Sequence, residues 1–351
     1  MVTALQLLDK GNLLVAHRGK PSFFCPQQTR GTIRDALLNP NSSGVEFDSS
    51  ISTDGKLVVY NAQSQMFSFA DVPHPECRRI TGLNFDQIQS RVKHTPEDEL
   101  RWLLTELDKG DFERLRVGLS PTEFELLKNI LNEFKGRNEL DTGIDYNKIA
   151  TPDDVLQYLA DNQLPLVDLK IPKKPEDDGF NSLLENLIAQ SVEWVAKNPQ
   201  IADRVVFNNT TFLDTDTRER ASCLTRRIWH EERALDSIEP NLAWSIHYEK
   251  GEAGKPTLYE TVDRRLLSRL KNDFGISVLF PDVLGASAEG AREYAKEFGL
   301  RIVASPRGSF INSLHMLYIL LQQGKEHEKL KIGAFMTDDL NKATEVKKLV
   351  N

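Results

Sequence analysis

Eight short apolar, β-rich runs recur along this chain of 351 residues, and helical segments separate most of them. The runs fall at residues 13–17, 44–48, 164–170, 204–208, 242–246, 276–280, 301–304 and 331–336. Between them lie segments such as 182–197, where Leu184, Ile188, Val192 and Val195 share the spacing of one helix face. Another is 288–298, which runs into Gly299 where a helix C-cap glycine belongs. Alternation of this kind predicts an α/β fold, with parallel strands joined by crossover helices. Eight is the number of strands that closes a (β/α)8 barrel, and an open doubly wound sheet is the other arrangement that gives the same alternation.

Two stretches break the rhythm. Residues 56–61 follow the turn Thr53-Asp54-Gly55 so closely that they read as a hairpin return from the second run rather than as a barrel strand. Residues 95–148 read as a helical, charged insertion. Within it Ser120-Pro121-Thr122-Glu123 is a capping box with proline at the first helical position, opening a helix whose Phe124, Leu127, Leu131 and Phe134 share one face. Packing against the rest of the fold is the simpler reading of that stripe, and a partner or lipid surface is the other. With 40% hydrophobic residues the chain has ample material for one large core, so residues 1–351 are expected to form a single domain that carries the insertion.

A formal charge of -8 argues against a nucleic-acid binder, which needs a basic face to neutralise phosphates, but a basic pocket for a small anion is compatible with it. Cys25, Cys77 and Cys223 form no CxxC pair and are odd in number, which fits a reducing compartment. No leader-like start and no membrane-length apolar run is visible, so the expected location is the cytoplasm.

The ends of the early runs collect reactive side chains. His17-Arg18-Gly19 follows Leu13-Leu14-Val15-Ala16 directly, so a histidine and an arginine stand where a buried strand emerges, and the glycine permits a sharp turn. In a barrel, the carboxyl ends of the strands are the catalytic rim. In Gly44-Val45-Glu46-Phe47-Asp48 the strand period points Glu46 and Asp48 to one side. Two neighbouring carboxylates repel each other, and a divalent cation is the usual remedy. The run ending Val167-Asp168-Leu169-Lys170 places Asp168 and Lys170 on one face, and an intrastrand ion pair is the plain reading of that pair taken alone. Oxygen-only ligation suits Mg2+ or Ca2+ better than zinc. Trp244, His247 and Trp229-His230 read as packing residues. Asp338 and Asp339 follow the last run, a position from which the mouth is within reach, but the N-cap of the helix from Lys342 onward is the simpler account. Arg307 and Ser309, after the seventh run, stand where a substrate headgroup would pass.

Taken in order, these residues resemble the glycerophosphodiester phosphodiesterase family of the phosphatidylinositol phospholipase C-like barrels. Ala16-His17-Arg18-Gly19 looks like the family's A-H-R-G, and Pro26-Gln27-Gln28-Thr29 stands where it has P-E-N-T. Glu46-Phe47-Asp48 resembles its E-x-D, and Thr53-Asp54-Gly55-Lys56-Leu57-Val58-Val59 its T-x-D-G-x-x-V-V turn. Thr151-Pro152-Asp153-Asp154-Val155-Leu156 is similar to its T-L-x-E-x-L helix start, Asp168-Leu169-Lys170 to its E-x-K strand, and Met336-Thr337-Asp338-Asp339 to its closing I-T-D-D. The resemblance implies a TIM barrel with a small helical insertion. It also implies a divalent cation, Mg2+ or Ca2+, on Glu46, Asp48 and Asp168, with Arg18 and Lys170 near the phosphate and His17 as one of two catalytic histidines. The substrate it implies is a small-molecule or lipid phosphodiester, either a glycerophosphodiester or a lysophospholipid.

The chain departs from the family pattern at several points. Where the family has its second histidine, in V-V-x-H-D, this sequence reads Val58-Val59-Tyr60-Asn61-Ala62. Asparagine can hydrogen-bond but cannot give up a proton at a useful pH. His74, about a dozen residues downstream, is the nearest candidate to replace it, and a solvated loop histidine is its simpler reading. Asp168 is one methylene shorter than the family's glutamate, Gln27 replaces an acid, and Val303-Ala304-Ser305-Pro306 lacks the tryptophan that commonly follows the seventh strand. Two expectations follow. One is a divergent metal-dependent phosphodiesterase; the other is a catalytically impaired barrel that binds a phosphorylated ligand or a protein partner.

Overall fold

A computed structural model describes residues 2–22, 25, 27–60, 68–69, 83–93, 121, 125, 129, 148–171, 177–209, 214–246, 248–250, 256–258, 263–281, 289–305 and 310–350. Eight parallel strands form its centre: β1 (Leu13–Ala16), β2 (Gly44–Ile51), β3 (Leu164–Leu169), β4 (Val206–Asn209), β5 (Asn241–Ile246), β6 (Ile276–Pro281), β7 (Arg301–Ala304) and β8 (Ala334–Thr337). Each pairs with its neighbour in sequence, and β1 pairs with both β8 and β2, so the sheet closes on itself. Of the two arrangements open to the sequence, this is the barrel. All eight apolar runs became barrel strands, and Leu57–Val59 returns antiparallel along the end of β2, as the hairpin reading expected.

Strand alternation divides the core into two layers. Val15, Leu164, Leu166, Val206, Ala243, Val278, Phe280, Val303, Ala334 and Met336 point inward and fill the barrel. Helix α1 (Ala4–Lys10), held by a capping box between Thr3 and Gln6, adds Ala4, Leu7 and Leu8 to this interior cluster at the amino-terminal end of the strands. The outward residues meet the helical ring. Val45 and Phe47 of β2 pack with Trp194 of α4 (Phe180–Ala196), introduced after α2 (Arg30–Leu38) and α3 (Pro152–Tyr158), and the Phe47 and Trp194 rings stand edge to face at 6.1 Å. Trp229 of α5 (Thr215–Glu231) meets Phe207 in the same way at 6.1 Å. The ring continues through α6 (Arg264–Asn272), α7 (Glu289–Glu297), α8 (Phe310–Glu326) and α9 (Leu340–Val350). Trp229 and Trp244 are fully buried, as their reading as packing residues expected.

Local sequence explains the element ends. Thr151 caps α3 through a capping box with Asp154, with Pro152 at the first turn. Gly299, past the end of α7, is left-handed at φ 67° and its N–H donates to the Lys296 carbonyl. Among the described residues, no helix is long and apolar enough to cross a membrane. The 95–148 insertion, apart from isolated positions, lies outside the described residues.

Candidate active site

The first strand delivers a histidine and an arginine to the barrel mouth through a tight turn. Directly after β1, Arg18 takes a left-handed conformation at φ 52° and Gly19 follows at φ 66°. A Cβ on Gly19 would stand 2.3 Å from Ile33 Cδ1, so both the backbone angle and the close approach of α2 demand glycine. The turn aims the Arg18 backbone N–H at Glu46 Oε2, 2.7 Å away. It also brings His17 Nδ1 to 3.0 Å from Asp338 Oδ1, beyond the end of β8, while His17 Nε2 stands 4.0 Å from Glu46 Oε2. Burial would raise the Asp338 carboxyl, but the neighbouring His17 outweighs it and holds the group well below the usual carboxylate range. An ionised carboxylate only accepts, so it fixes the proton of neutral His17 on Nδ1 and leaves Nε2 as a proton acceptor facing the carboxylate side of the mouth.

Three carboxylates converge beside that imidazole. Val45 and Phe47 face the helices, so Glu46 and Asp48 face inward, and Asp168 on β3 lies in register with Asp48. Oxygens of Glu46, Asp48 and Asp168 lie within 4.8 Å of one another, and all three residues are buried. Lys170 Nζ lies 2.6 Å from Asp168 Oδ2 and 3.3 Å from Asp48 Oδ1, and Arg18 Nε lies 3.5 Å from Asp48 Oδ2. The intrastrand pair of Asp168 and Lys170 is therefore real, and it belongs to a larger cluster.

The charges shift one another unevenly. Burial and the repulsion of Asp48 and Asp168 push Glu46 well above its ordinary value. Burial, helped by Asp48 and opposed by Lys170, lifts Asp168 to about 6. For Asp48 the upward push of burial is outweighed by Lys170, Arg18 and His17, and its carboxyl sits below the ordinary value. Burial would lower Lys170, but the surrounding carboxylates raise it to about 12. Burial, repulsion among the carboxylates and their attraction to Lys170 and Arg18 together produce this pattern.

Asp168 Oδ1 is buried and has no hydrogen-bond partner among the described residues. An orphaned buried carboxylate oxygen is costly, and it lies in a set of hard oxygen donors that suits Mg2+ or Ca2+. The residues present fit such a cation, with Glu46, Asp48 and Asp168 as the groups able to hold it.

No family model matches the chain, and no curated protein matches it in sequence. Solved structures do match in shape. A protein of Silicibacter pomeroyi assigned as a glycerophosphoryl diester phosphodiesterase superposes with a TM-score of 0.59 at 12% identity, over 97% of each chain. A glycerophosphodiester phosphodiesterase of Agrobacterium tumefaciens gives 0.54 at 11% identity, over 96% of this chain and 99% of that one. An Oleispira antarctica phosphodiesterase, solved in complex with the product sn-glycerol-3-phosphate, gives 0.54 at 13% identity, over 97% and 99%. This chain has the fold of the glycerophosphodiester phosphodiesterases.

On this barrel, His17, Arg18, Glu46, Asp48, Asp168 and Lys170 come together at one rim. Asn61, His74, His247, Arg307 and Ser309 lie outside the described residues. The reading of both closing aspartates as N-caps needs correction. Asp339 Oδ1 does accept from the Lys342 N–H at 2.9 Å, but Asp338 turns to His17. Gln28 was named in the sequence only as part of Pro26-Gln27-Gln28-Thr29 and was given no role there. Left-handed at φ 57°, it donates from Nε2 to Asp48 Oδ2 at 2.5 Å and accepts from the Asp48 N–H at 3.0 Å, while its own N–H holds the Arg18 carbonyl. Gln27, one residue earlier, accepts from Arg18 Nη1 at 2.8 Å.

Proposed function

We propose that the protein is a divergent, metal-dependent phosphoric diester hydrolase that cleaves glycerophosphodiesters or lysophospholipids to an alcohol and a phosphomonoester. The observation that carries this reading is the meeting of one oriented imidazole with three buried carboxylates, one oxygen of which has no partner. The Oleispira phosphodiesterase, with its bound sn-glycerol-3-phosphate, makes glycerol phosphate the first product to assay. When bound, a divalent cation supplies Lewis-acid polarisation of the phosphoryl oxygens.

The remaining work falls to the chain itself. Glu46, Asp48 and Asp168 would hold the cation, and the Arg18 guanidinium and Lys170 ammonium bring positive charge to the rim that receives the phosphate. His17 takes at Nε2 the proton of the attacking water, whose oxygen bonds phosphorus as the P–O bond to the alcohol breaks, and the imidazolium so formed is stabilised by Asp338 at Nδ1, 3.0 Å away. At the family's second histidine position, Asn61 has no proton to give, so departure of the alcohol proceeds without that general acid. General acid catalysis is worth about a hundred to ten thousandfold, which makes this a slow enzyme in its class.

Purified protein with Mg2+ or Ca2+ is expected to release sn-glycerol 3-phosphate from glycerophosphocholine, or the acylated glycerol phosphate from a lysophospholipid. His17→Ala should reduce that release to background, and Asn61→His should raise it. The other reading, a catalytically impaired barrel that binds a phosphorylated ligand or a protein partner, is favoured only by Asn61. Phosphoester binding without turnover across a broad diester panel would establish that reading and overturn the hydrolase.

A further inference from the structure

We infer that Asn208, on β4, is a phosphate-binding residue whose side-chain Nδ2 donates to a phosphoryl oxygen of the substrate, held in that orientation by Ser245 and Arg218. The inference rests on the phosphodiesterase reading and extends the site to strands that the motif residues do not touch.

The barrel's register places Asn208. Asp48 pairs with Asp168 across β2 and β3, and Asp168 pairs with Asn208 across β3 and β4, so the three occupy one layer on adjacent strands. Val206, two residues earlier, belongs to the interior cluster, and the strand period therefore turns Asn208 inward as well. Asn208 is 2% exposed, so it is a buried amide at the same level as the carboxylates. By the same period Ser245 follows inward-facing Ala243 on β5.

Its hydrogen bonds orient the amide. Ser245 Oγ donates to Asn208 Oδ1 at 2.8 Å. The end of β5 is in turn fixed from outside, where Arg218 Nη1 of α5 donates to the Ser245 carbonyl at 2.6 Å with its guanidinium 4.5 Å from the centre of the Trp244 ring. With the amide oxygen committed to the β5 side, the planar amide turns Nδ2 away from Ser245. Among the described residues, no acceptor pairs with Nδ2. An amide donor without a protein acceptor among the described residues, on a side chain only 2% exposed and one strand from the unpaired Asp168 oxygen, matches an anionic acceptor held in the mouth.

The test is titration calorimetry with saturating Mg2+ or Ca2+, using sn-glycerol 3-phosphate and inorganic phosphate as separate probes, alongside kcat and KM on glycerophosphocholine. Asn208→Ala is expected to weaken both probes equally, by about 10- to 100-fold, the value of a hydrogen bond to a charged group. Asn208→Asp keeps the size and the Ser245 bond but removes the donor and adds charge, and should weaken both further. Ser245→Ala frees the amide to rotate and should cost less than Asn208→Ala; Ser245→Thr, which keeps the hydroxyl, should restore wild-type affinity. Loss of affinity for sn-glycerol 3-phosphate alone would place Asn208 on the glycerol and overturn the inference. Unchanged affinity in a folded Asn208→Asp protein would overturn it too, while wild-type turnover would leave the hydrolase reading standing. Wild type that binds neither probe and turns over no diester would sink both.

Discussion

Asp168 carries the least settled charge in the site, since burial favours its neutral form while Lys170 at 2.6 Å favours the carboxylate. Its folded value of about 6 against an ordinary 3.8 means that the folded, metal-free protein binds this proton more tightly than the unfolded chain does between those two values. The contribution of Asp168 to stability is therefore greatest at the acid side and is lost as pH rises from about 4 through about 6. A cation needs the deprotonated form, so its affinity runs the opposite way and rises across the same window with release of a proton. Calorimetry with Ca2+ at pH 5 and pH 7, in buffers of different ionisation enthalpy, should show tighter binding at pH 7 and more proton release per ion bound at pH 5, and Asp168→Asn should shrink the difference. Lys170 offers a complementary case. Replacing it with methionine leaves buried carboxylates without their ammonium, an expected cost of about 3–5 kcal/mol in the metal-free protein. Titrating in Ca2+ should narrow the gap in Tm from wild type, because the cation takes over the role of the lost ammonium.

At the scale of elements, short turns and caps set the aim of these side chains. Gly19→Ala forces an L side chain into φ 66° and against Ile33, and should cost about 1–3 kcal/mol by denaturant unfolding. It should also lower turnover, since the same turn sets the place of His17 and of the Arg18 N–H. Thr151→Ala removes the capping box of α3 and should cost about 0.5–2 kcal/mol with turnover unchanged, because α3 lies outside the barrel mouth. These elements also show what the sequence could reveal about the site. His17, Glu46, Asp48 and Asp168 were legible because each stands at the end of an apolar run, and for Glu46 and Asp48 strand period also puts both on one side. Asp338 was not, because its partner is 321 residues away in sequence and an aspartate at a helix start already has a local explanation. Gln28 escaped notice because its role depends on a left-handed backbone angle, and nothing in a glutamine's side chain announces one.

For the whole molecule, the alternation of apolar runs and helical segments made the eight strands readable, but closure was beyond it. Whether β1 would find both β8 and β2 depends on twist and stagger summed around the ring, which no single segment encodes. The sequence equally gave no sign that residues 4–10 would serve the barrel interior, because a seven-residue helix is too short to announce its partner by periodicity. Leu8→Ala opens a cavity in that interior and is expected to lower stability by about 2–5 kcal/mol in thermal unfolding, with diester turnover unchanged at temperatures where the protein is folded. Helix α1 has a kinetic corollary as well. With one end of the vessel corked by Leu7 and Leu8 and its shaft filled by the inward apolar residues, traffic to the acidic layer has, among the described residues, a single doorway. Whatever arrives must back out the way it came before a successor can take its place, so a lingering visitor of either kind holds up the queue.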